Sequence, residues 1–423
     1  MPFKEILIKN TVFKPKEDQP TFAPVYEAPS GSLLERLHNS RKLIQEKAYG
    51  NISAFNFTRE VFNSGKWNDL TTKARGLFLD NTNGRIVARG FEKFFGYKER
   101  QFNSDQFLKE HLQYPVSAYV KYNGFLGILG FDDGGLLFCS KSTVGGEYAE
   151  YFKEIFSADD HNISELVAYM RKKNLGLVFE VIDPVNDPHI VEYGKKAIVL
   201  LDAIALDEKF SNVAYDDLVD LAHKFNFNVK VKWEVFYDWE HLHEFLQKCD
   251  NDAETHREGF VMVDANGYQF KLKGAWYRRW KMLRSIKDKI AQGHLVNIAG
   301  INSPMAVNFI GWAKNKGADY CKARSIIQLR NEFEREEHYN ALPKYEVVAS
   351  KLCDGEWVDQ VHTGTFSELR LTFWHTLKMG NERSKEVDLY PAGFEELVES
   401  LNKAVALLGV ADKNRYTGRE LEG

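Results

Sequence analysis

A lysine stands at the end of a β-rich run, where residues 117–124 have the sequence SAYVKYNG. Alternation along a strand places Tyr119, Lys121 and Asn123 on one face, and Gly124 allows a ligand to approach the backbone closely. A lysine that lies among other cations in a partly desolvated cleft has a lowered pKa, and its free amine is a nucleophile. This motif alone leaves two interpretations open, a nucleophilic lysine and an ordinary surface lysine beside a turn.

A second stretch, NGYQFKLKGAWY, carries two lysines on a single strand face. Alternation puts Lys271 and Lys273 on the same face as Gln269. The opposite face consists of Tyr268, Phe270 and Leu272. Two ammonium groups aimed at one place suit a polyphosphate, whose developing charge they stabilise. The alternative is a solvated strand face.

Two glutamates border or interrupt apolar strands. Glu258 precedes a glycine and an apolar run in HREGFVMV, and Glu180 interrupts the otherwise apolar LVFEVID. A carboxylate in such a place needs a metal ion, a ribose hydroxyl or a cationic partner, and a plain ion pair is the alternative for each. Lys141, in CSKSTVGG, lies on the strand that pairs with the one after Lys121. A surface position is the alternative for this lysine.

The order of these motifs resembles that of the covalent nucleotidyltransferases, which include nucleic-acid ligases and capping enzymes. The chain is most similar to the bacteriophage RNA ligase 1 family, which is related to fungal and plant tRNA ligases. Upstream, ARGLFLD and ARGFEKFFGY resemble the family's CRG-type and EKFF motifs and point to Arg75, Lys93 and the neighbouring Phe95. The similarity in the order and the residues of the motifs extends over residues 52–280.

The resemblance implies an ATP-dependent RNA ligase. Such an enzyme joins 5′-phosphate and 3′-hydroxyl RNA ends through lysyl-AMP and RNA-adenylate intermediates, with Mg²⁺ or Mn²⁺. Lys121 is then the catalytic nucleophile, and Glu258 is the metal-associated carboxylate. The residues that the resemblance assigns to ATP are Phe55 beside the adenine, Glu180 at the ribose, and Arg75, Lys93, Lys141, Lys271 and Lys273 at the phosphates.

Two positions depart from the commoner motifs of the superfamily. Asn123 replaces the aspartate of KxDG, as it does in fungal tRNA ligases, and keeps hydrogen bonding without the negative charge. Leu126 occupies the place where DNA ligases and capping enzymes carry the arginine of KxDGxR, which argues against both classes. An mRNA capping guanylyltransferase, a DNA ligase and a catalytically inactive RNA-binding module stay as the alternatives.

The pattern of elements predicts an α+β chain with two domains. Residues 1–297 are expected to form a nucleotidyltransferase (adenylation) domain built on antiparallel sheets. Residues 298–423 are expected to form an all-α C-terminal domain that selects the RNA substrate. Turn residues indicate three β-hairpins, at 83–84, 132–135 and 266–267. Helical spacing predicts helices over residues 32–50, 323–342, 366–379 and 394–408.

The composition narrows the class of protein further. With a formal net charge of −4, the chain lacks the overall basic charge that is typical of nucleic-acid-binding proteins. An RNA site must therefore be a local basic patch. The four cysteines are scattered without a CxxC pair, which argues against a zinc site and a disulfide framework. Since no apolar run is long enough to cross a membrane, a cytoplasmic protein without membrane contact is expected, and we expect a monomer.

The family suggests a tRNA broken in its anticodon loop as the RNA partner. The sequence contains no GxxxxGK[ST] motif for an accompanying kinase activity. A separate end-healing kinase and phosphatase are therefore expected.

Overall fold

The computed structural model describes residues 31–159, 161–298, 300–341, 344–353 and 356–365. The helices predicted over residues 366–379 and 394–408 lie outside these ranges. Among the helices within them, none combines the length and the apolar character that a membrane span requires.

The strands of the described part of residues 31–330 form three sheets. The first contains, in order, β1 (Ile44–Tyr49), β2 (Ile52–Phe57), β3 (Leu77–Asp80) and β4 (Ile86–Arg89). The second runs from β11 (Asn228–Val229) through β10 (Ala197–Ala205), β9 (Leu175–Ile182) and β7 (Phe125–Asp132) to β8 (Gly135–Cys139). The third runs from β12 (Lys232–Phe236) through β6 (Val116–Lys121), β13 (Gly259–Val263) and β14 (Gln269–Lys273) to β5 (Phe95–Gly96). In these sheets neighbouring strands are antiparallel except in the pairs β10–β11 and β14–β5.

Helices alternate with the strands and pack on two of the sheets, and within the described ranges four more helices follow β14 in the chain. Their bounds are α1 (Leu33–Asn39), α2 (Arg59–Ser64), α3 (Asp69–Lys73), α4 (Asp105–His111), α5 (Glu147–Ala158), α6 (Ile163–Lys173), α7 (Tyr215–Lys224), α8 (Trp239–Asn251), α9 (Ala275–Ala291), α10 (Pro304–Lys316), α11 (Ala318–Lys322) and α12 (Ile326–Ala341). Helices α5, α6 and α7 pack on the second sheet, and α4 and α8 on the third. A 3₁₀ turn at Gln101–Asn103 precedes α4.

The predicted α+β class and the three predicted hairpins are confirmed, since β3–β4, β7–β8 and β13–β14 pair as expected. The helix predicted over residues 32–50 is wrong in its second half. Ser32 caps α1, which ends at Asn39, and Ile44–Tyr49 then pairs with β2 along its whole length. Tertiary pairing overrides helical spacing here because Gly50, at φ +60°, closes a tight hairpin.

The first and second sheets approach each other closely. Ala54, Phe78 and Val87 of the first sheet form a buried cluster with Ile128 of β7. Gly130 of β7 lies directly against the backbone of β4, where an added Cβ would overlap the carbonyl oxygen of Val87. The glycine therefore sets the spacing between the two sheets, and with it the position of the strand that follows the Lys121 motif.

Strand register in the third sheet brings the sequence motifs together. Gly259 of β13 pairs with Lys121 on one side and with Lys273 on the other. Two positions along the same strands, Val261 pairs with Tyr119 and with Lys271. Because side chains alternate along each strand, the two lysines of β14 share a face with Lys121.

The chain beyond α9 differs from the predicted arrangement in one respect. Contacts divide the chain into one compact unit up to Arg330 and a second from Asn331. The predicted helix over residues 323–342 is confirmed as α12, but β15 (Lys344–Cys353) pairs antiparallel with β16 (Glu356–Thr365). The expectation of an all-α C-terminal domain is therefore corrected at this hairpin, whose two strands have the β-branched content that is typical of strands. The functional division at 297/298 stays a prediction.

Replacing Gly130 by alanine should destabilise the fold, because the new methyl group overlaps the backbone of β4. Overpacking of this kind lowers the free energy of unfolding by about 1–3 kcal/mol. Urea unfolding measures the effect, and Gly194→Ala is the matched control, since no atom lies within 4 Å of the added Cβ there. Equal stability of the two variants would contradict the close approach of the sheets.

Candidate active site

The site is built around Glu258, which directly precedes β13 and is 3% exposed. Its Oε1 atom lies 3.1 Å from the Nζ of Lys121 and 2.8 Å from the Nζ of Lys273. These lysines end the two strands that flank β13, so one carboxylate oxygen bridges both of them. Three motifs that are far apart in sequence therefore form one cluster.

The charge state of Lys121 differs from the prediction. Burial by itself lowers the pKa of this amine, but the carboxylates of Glu258 and Glu180 outweigh burial and raise the pKa above its ordinary value. The pKa of Glu258 is correspondingly lowered, because the two lysines outweigh the effect of its burial. Lys121 is therefore a protonated ion-pair partner when no ligand neutralises Glu258, and the predicted lowering of its pKa is wrong for this state.

Asn123 holds the turn after β6. Its Nδ2 donates to the Oε2 of Glu258 at 3.0 Å and to the hydroxyl of Tyr277 at 3.2 Å. Its Oδ1 accepts from the backbone N–H groups of residues 190 and 191, both at 3.0 Å. An aspartate could not donate to Glu258, so the asparagine suits a site in which this neighbouring carboxylate stays ionised.

Glu180 lies on β9 opposite Leu126 and accepts a hydrogen bond of 2.8 Å from the backbone N–H of Gly124. Burial raises the pKa of this carboxyl, and Lys121 offsets only part of that effect. An added Cβ at Gly124 would overlap the carbonyl of Val181, so the glycine is required for this close approach. The strand order thus brings this buried glutamate next to the Lys121 motif.

Four further cations belong to the same electrostatic cluster, and burial lowers the pKa of each of them, with the charge of Arg75 lowering the pKa of the three lysines further. They are Arg75, Lys93, Lys141 and Lys271. Burial, followed by the charge of Arg75, lowers the pKa of Lys271 to about 6. Burial also lowers the pKa of Lys93 to about 8, although Glu99 opposes the shift. A polyphosphate placed among these groups would relieve their repulsion and restore their charge.

Aromatic rings support this group of cations, and one of them is Phe95, to which the EKFF motif pointed. The Nζ of Lys271 lies 4.3 Å from the centroid of the Phe94 ring, and that of Lys93 lies 3.6 Å from the centroid of Phe95. Both ammonium groups also donate to the carbonyl of Phe94, at 3.2 Å and 3.0 Å. The paired phenylalanines of EKFF could have predicted these contacts, because cations bind to the faces of aromatic rings.

Phe55 is not at the site. The residue is 1% exposed and belongs to the hydrophobic core beside β1 and β3, with its ring 5.8 Å from that of His38. The prediction that it lies beside an adenine is therefore wrong, because the strand aims this side chain inward. Phe57, two positions along, is half-buried and lies under the Nζ of Lys141 at 5.6 Å.

A cavity of about 450 Å³ opens beside Lys121. On one side it is lined by Asn123, Gly124 and Glu258, and on the other by α9. Three basic side chains of its wall escaped the motif analysis: His189, Lys281 and Arg284. The high content of Lys and Arg over residues 271–290 could have indicated a basic surface here. Of these residues, Lys281 and Arg284 of α9 line the cavity.

The carboxylates limit how a metal ion could bind. Within the described ranges no group of three or more His, Cys, Asp and Glu side chains is arranged around a common point. Mg²⁺ in phosphate-transfer sites is typically held by one or two carboxylates together with substrate phosphates and water. Glu258, with Glu180 nearby, fits that smaller protein contribution.

Residues 73–277 match a protein-family model described as RNA ligase, a range that begins before Arg75 and ends at Tyr277. Over these residues the chain is similar to the RNA ligase family. This range contains the predicted lysines and glutamates, and the predicted family relationship is confirmed.

Fungal proteins are similar over a longer part of the chain. A tRNA ligase of Candida albicans is 24% identical over 325 residues, which are 62% of this chain and 39% of that protein. tRNA ligase 1 of Schizosaccharomyces pombe is 23% identical over 376 residues, 78% of this chain and 44% of that protein. The chain thus spans less than half the length of both relatives. Among solved structures, an archaeal ATP-dependent RNA ligase has a TM-score of 0.45 and 12% identity, covering 82% of this chain and 94% of that chain.

Binding of inorganic tripolyphosphate should take up protons. Because Lys271 has a pKa of about 6 in the free protein, it is mostly neutral at pH 7.5 and must gain a proton beside bound phosphate. Linkage then requires uptake of up to about one proton and an affinity that falls as the pH rises from 6 to 8. Calorimetry in buffers of different ionisation enthalpy measures the uptake.

Lys271→Gln should remove most of this uptake, whereas Lys172→Gln, on the exposed side of α6, should leave it unchanged. Equal proton uptake by the Lys271 variant and the unmodified protein would show that another group supplies the charge.

Proposed function

We propose that the chain is an ATP-dependent RNA ligase that joins 5′-phosphate and 3′-hydroxyl RNA ends. The observation that carries the proposal is the convergence on Lys121 of Glu258, Lys273 and a group of cations that lack equivalent counter-charge. The family relationship supports RNA as the substrate class. The cations match a triphosphate, and the amine at their edge matches a nucleophile.

In the first step Lys121 attacks the α-phosphorus of ATP. An N–P bond forms, the bond from that phosphorus to the pyrophosphate oxygen breaks, and the amine loses its protons. Since the ion pair with Glu258 keeps the amine protonated, this carboxylate must turn to another cation before the attack. Glu258, with Glu180 nearby, would hold a Mg²⁺ or Mn²⁺ ion, which would supply that counter-charge and offset phosphate charge.

Lys273 and Lys271 hold the reacting phosphate. Lys273 exchanges its contact with Glu258 for a phosphate oxygen, and Lys271 gains its charge as the phosphate arrives. Arg75, Lys93 and Lys141 surround the remaining phosphate oxygens. Glu180, next to Gly124, is placed to accept from a ribose hydroxyl.

The RNA steps follow at the same lysine. The 5′-phosphate of RNA attacks the lysyl-AMP and releases Lys121, and a 3′-hydroxyl then displaces AMP to form the phosphodiester. The cavity beside α9 supports this sequence, because His189, Lys281 and Arg284 can bind an incoming phosphate next to Lys121.

The natural substrate that we propose is a tRNA broken in its anticodon loop, and the residues after 297 select it. The fungal relatives named above carry the name tRNA ligase, which supports this choice. A separate kinase and phosphatase prepare the RNA ends, and the ligase acts as a monomer in the cytoplasm.

The rival enzyme classes differ at one position. Leu126 pairs with Glu180 across β7 and β9, and it offers no charge where DNA ligases and capping guanylyltransferases carry an arginine. An inactive RNA-binding module is disfavoured because it has no use for six converging cations, of which Lys271 and Lys93 have strongly lowered pKa values.

Lys121→Ala should abolish covalent labelling by α-labelled ATP and sealing of 5′-phosphate RNA. Lys121→Arg should fail as well, because a guanidinium does not deprotonate at working pH. Denaturing gels measure the label, and Lys172→Ala is the control. Label retained by Lys121→Ala would overturn the assignment, label from GTP alone would favour a capping enzyme, and preferential sealing of DNA would favour a DNA ligase.

Lys271→Met should separate stability from chemistry. The substitution removes a desolvated amine whose charge is suppressed, so the melting temperature should stay equal or rise. The rate of lysyl-AMP formation should fall on the order of a hundredfold, as for other lost electrostatic donors.

Phe270→Ala is the contrasting change. Phe270 lies on the opposite strand face and is 0% exposed, so its truncation should cost about 3–5 kcal/mol of stability. A slow Phe270 variant with full stability, or a destabilised Lys271 variant with full rate, would reverse the assignment of the two faces.

A further inference from the structure

Arg330 of α12 is buried far along the chain from the motifs. It is 3% exposed, although arginine is almost never fully buried without partners. Its Nη1 donates to the carbonyl of Ile190 at 2.7 Å, and its Nη2 lies 3.4 Å from a carboxylate oxygen of Glu192. The guanidinium lies over the rings of Trp276 and Trp280 of α9, at 5.2 Å and 5.9 Å. One planar cation thus joins three parts of the chain.

The segment that Arg330 contacts is the one that holds Asn123. The N–H groups of Ile190 and Val191 donate to the Oδ1 of Asn123, and the backbone N–H of Asn123 donates to the hydroxyl of Tyr193 at 2.9 Å. Each of these contacts fixes the asparagine from the side opposite Glu258.

The amide group of Asn123 then acts on the reactive pair. Its Nδ2 donates to the Oε2 of Glu258, while the Oε1 of the same carboxylate binds Lys121. Rotation of the amide would remove a donor from Glu258 and leave the ion pair with different geometry and basicity. The orientation of Asn123 is therefore coupled to the position of the amine.

We propose that Arg330 is a positioning residue for Lys121 and Glu258, acting through residues 190–193 and Asn123. The proposal rests on the proposed function, since the amine that it positions is the nucleophile. An arginine is required because a guanidinium can donate in one plane to a carbonyl and a carboxylate while its face rests on aromatic rings. The functional unit therefore extends to Arg330, past the predicted boundary at residue 297.

The test uses full-length protein and single-turnover formation of lysyl-AMP at saturating ATP and magnesium. Arg330→Met should slow this step on the order of tenfold to a hundredfold, the range for small misplacements of a reacting group, with a smaller change in the ATP concentration for half-maximal rate. Arg330→Lys should recover part of the rate. Arg335→Met, on an exposed position of the same helix, is the matched control and should react normally.

A double-mutant cycle with Asn123→Ala separates positioning from general destabilisation. If Arg330 acts through Asn123, then Arg330→Met should change the rate less than about twofold once the asparagine is absent. Equal and additive losses in both backgrounds, or a normal rate in a folded Arg330→Met protein, would overturn the proposal. Should the methionine variant fail to fold, Arg330→Lys in the two backgrounds gives the same comparison.

The unmodified protein separates this proposal from the proposed function. If it forms no label from ATP, the ligase assignment fails and this inference fails with it. If it forms label and the Arg330 variants match it, only the positioning role is lost.

Discussion

The site depends on one shared carboxylate. Glu258 is buried at the start of β13, and its two oxygens bind the ammonium groups of Lys121 and Lys273 and the amide of Asn123. A buried carboxylate without such partners would be strongly disfavoured, so the ion pairs and the strand register stabilise each other. Gly259 completes the arrangement: at φ +137° and directly against the backbone of Leu272, it has no room for a side chain. The close spacing of the three strands follows from this residue.

Beyond Glu258, positive charge exceeds negative charge in the site. Lys271 and Lys93 lie on aromatic rings and one backbone carbonyl, which solvate an ammonium less well than water does. Burial and mutual repulsion consequently suppress their charge, whereas the same repulsion cannot suppress that of Arg75 to the same degree because a guanidinium holds its proton more tightly. The free protein therefore maintains an electrostatic imbalance that a polyanion removes. This difference between the free and the bound state is a source of selectivity for phosphates over neutral ligands.

Local patterns predicted the parts of this structure that depend on neighbouring residues. Strand alternation gave the correct faces for Lys271 and Phe270, and the Asn-Gly turns gave the correct hairpins. The raised pKa of Lys121 could not be predicted in this way, because it depends on a carboxylate that only the fold brings to it. The burial of Phe55 and the strand at Ile44–Tyr49 were missed for a related reason. Each depends on packing or pairing with parts of the chain that only the fold brings together. Sequence similarity identified the charged residues and Phe95, but not Phe94, whose ring and carbonyl contact Lys271.

The boundary of the chemistry in sequence also differs from its boundary in space. The motifs end at Lys273, and the matched family range ends at Tyr277, yet the compact unit continues to Arg330. Trp276 and Trp280 of α9 are buried against Arg330. The helix that follows Lys273 therefore provides the aromatic contacts of this arginine. Ile190 and Glu192 accept its hydrogen bonds. A reactive amine must be held within fractions of an ångström of its target, and such precision requires support from rigid elements that themselves bear no chemistry. Residues that provide this support need not resemble a motif, because their requirement is shape and hydrogen bonding toward one particular loop.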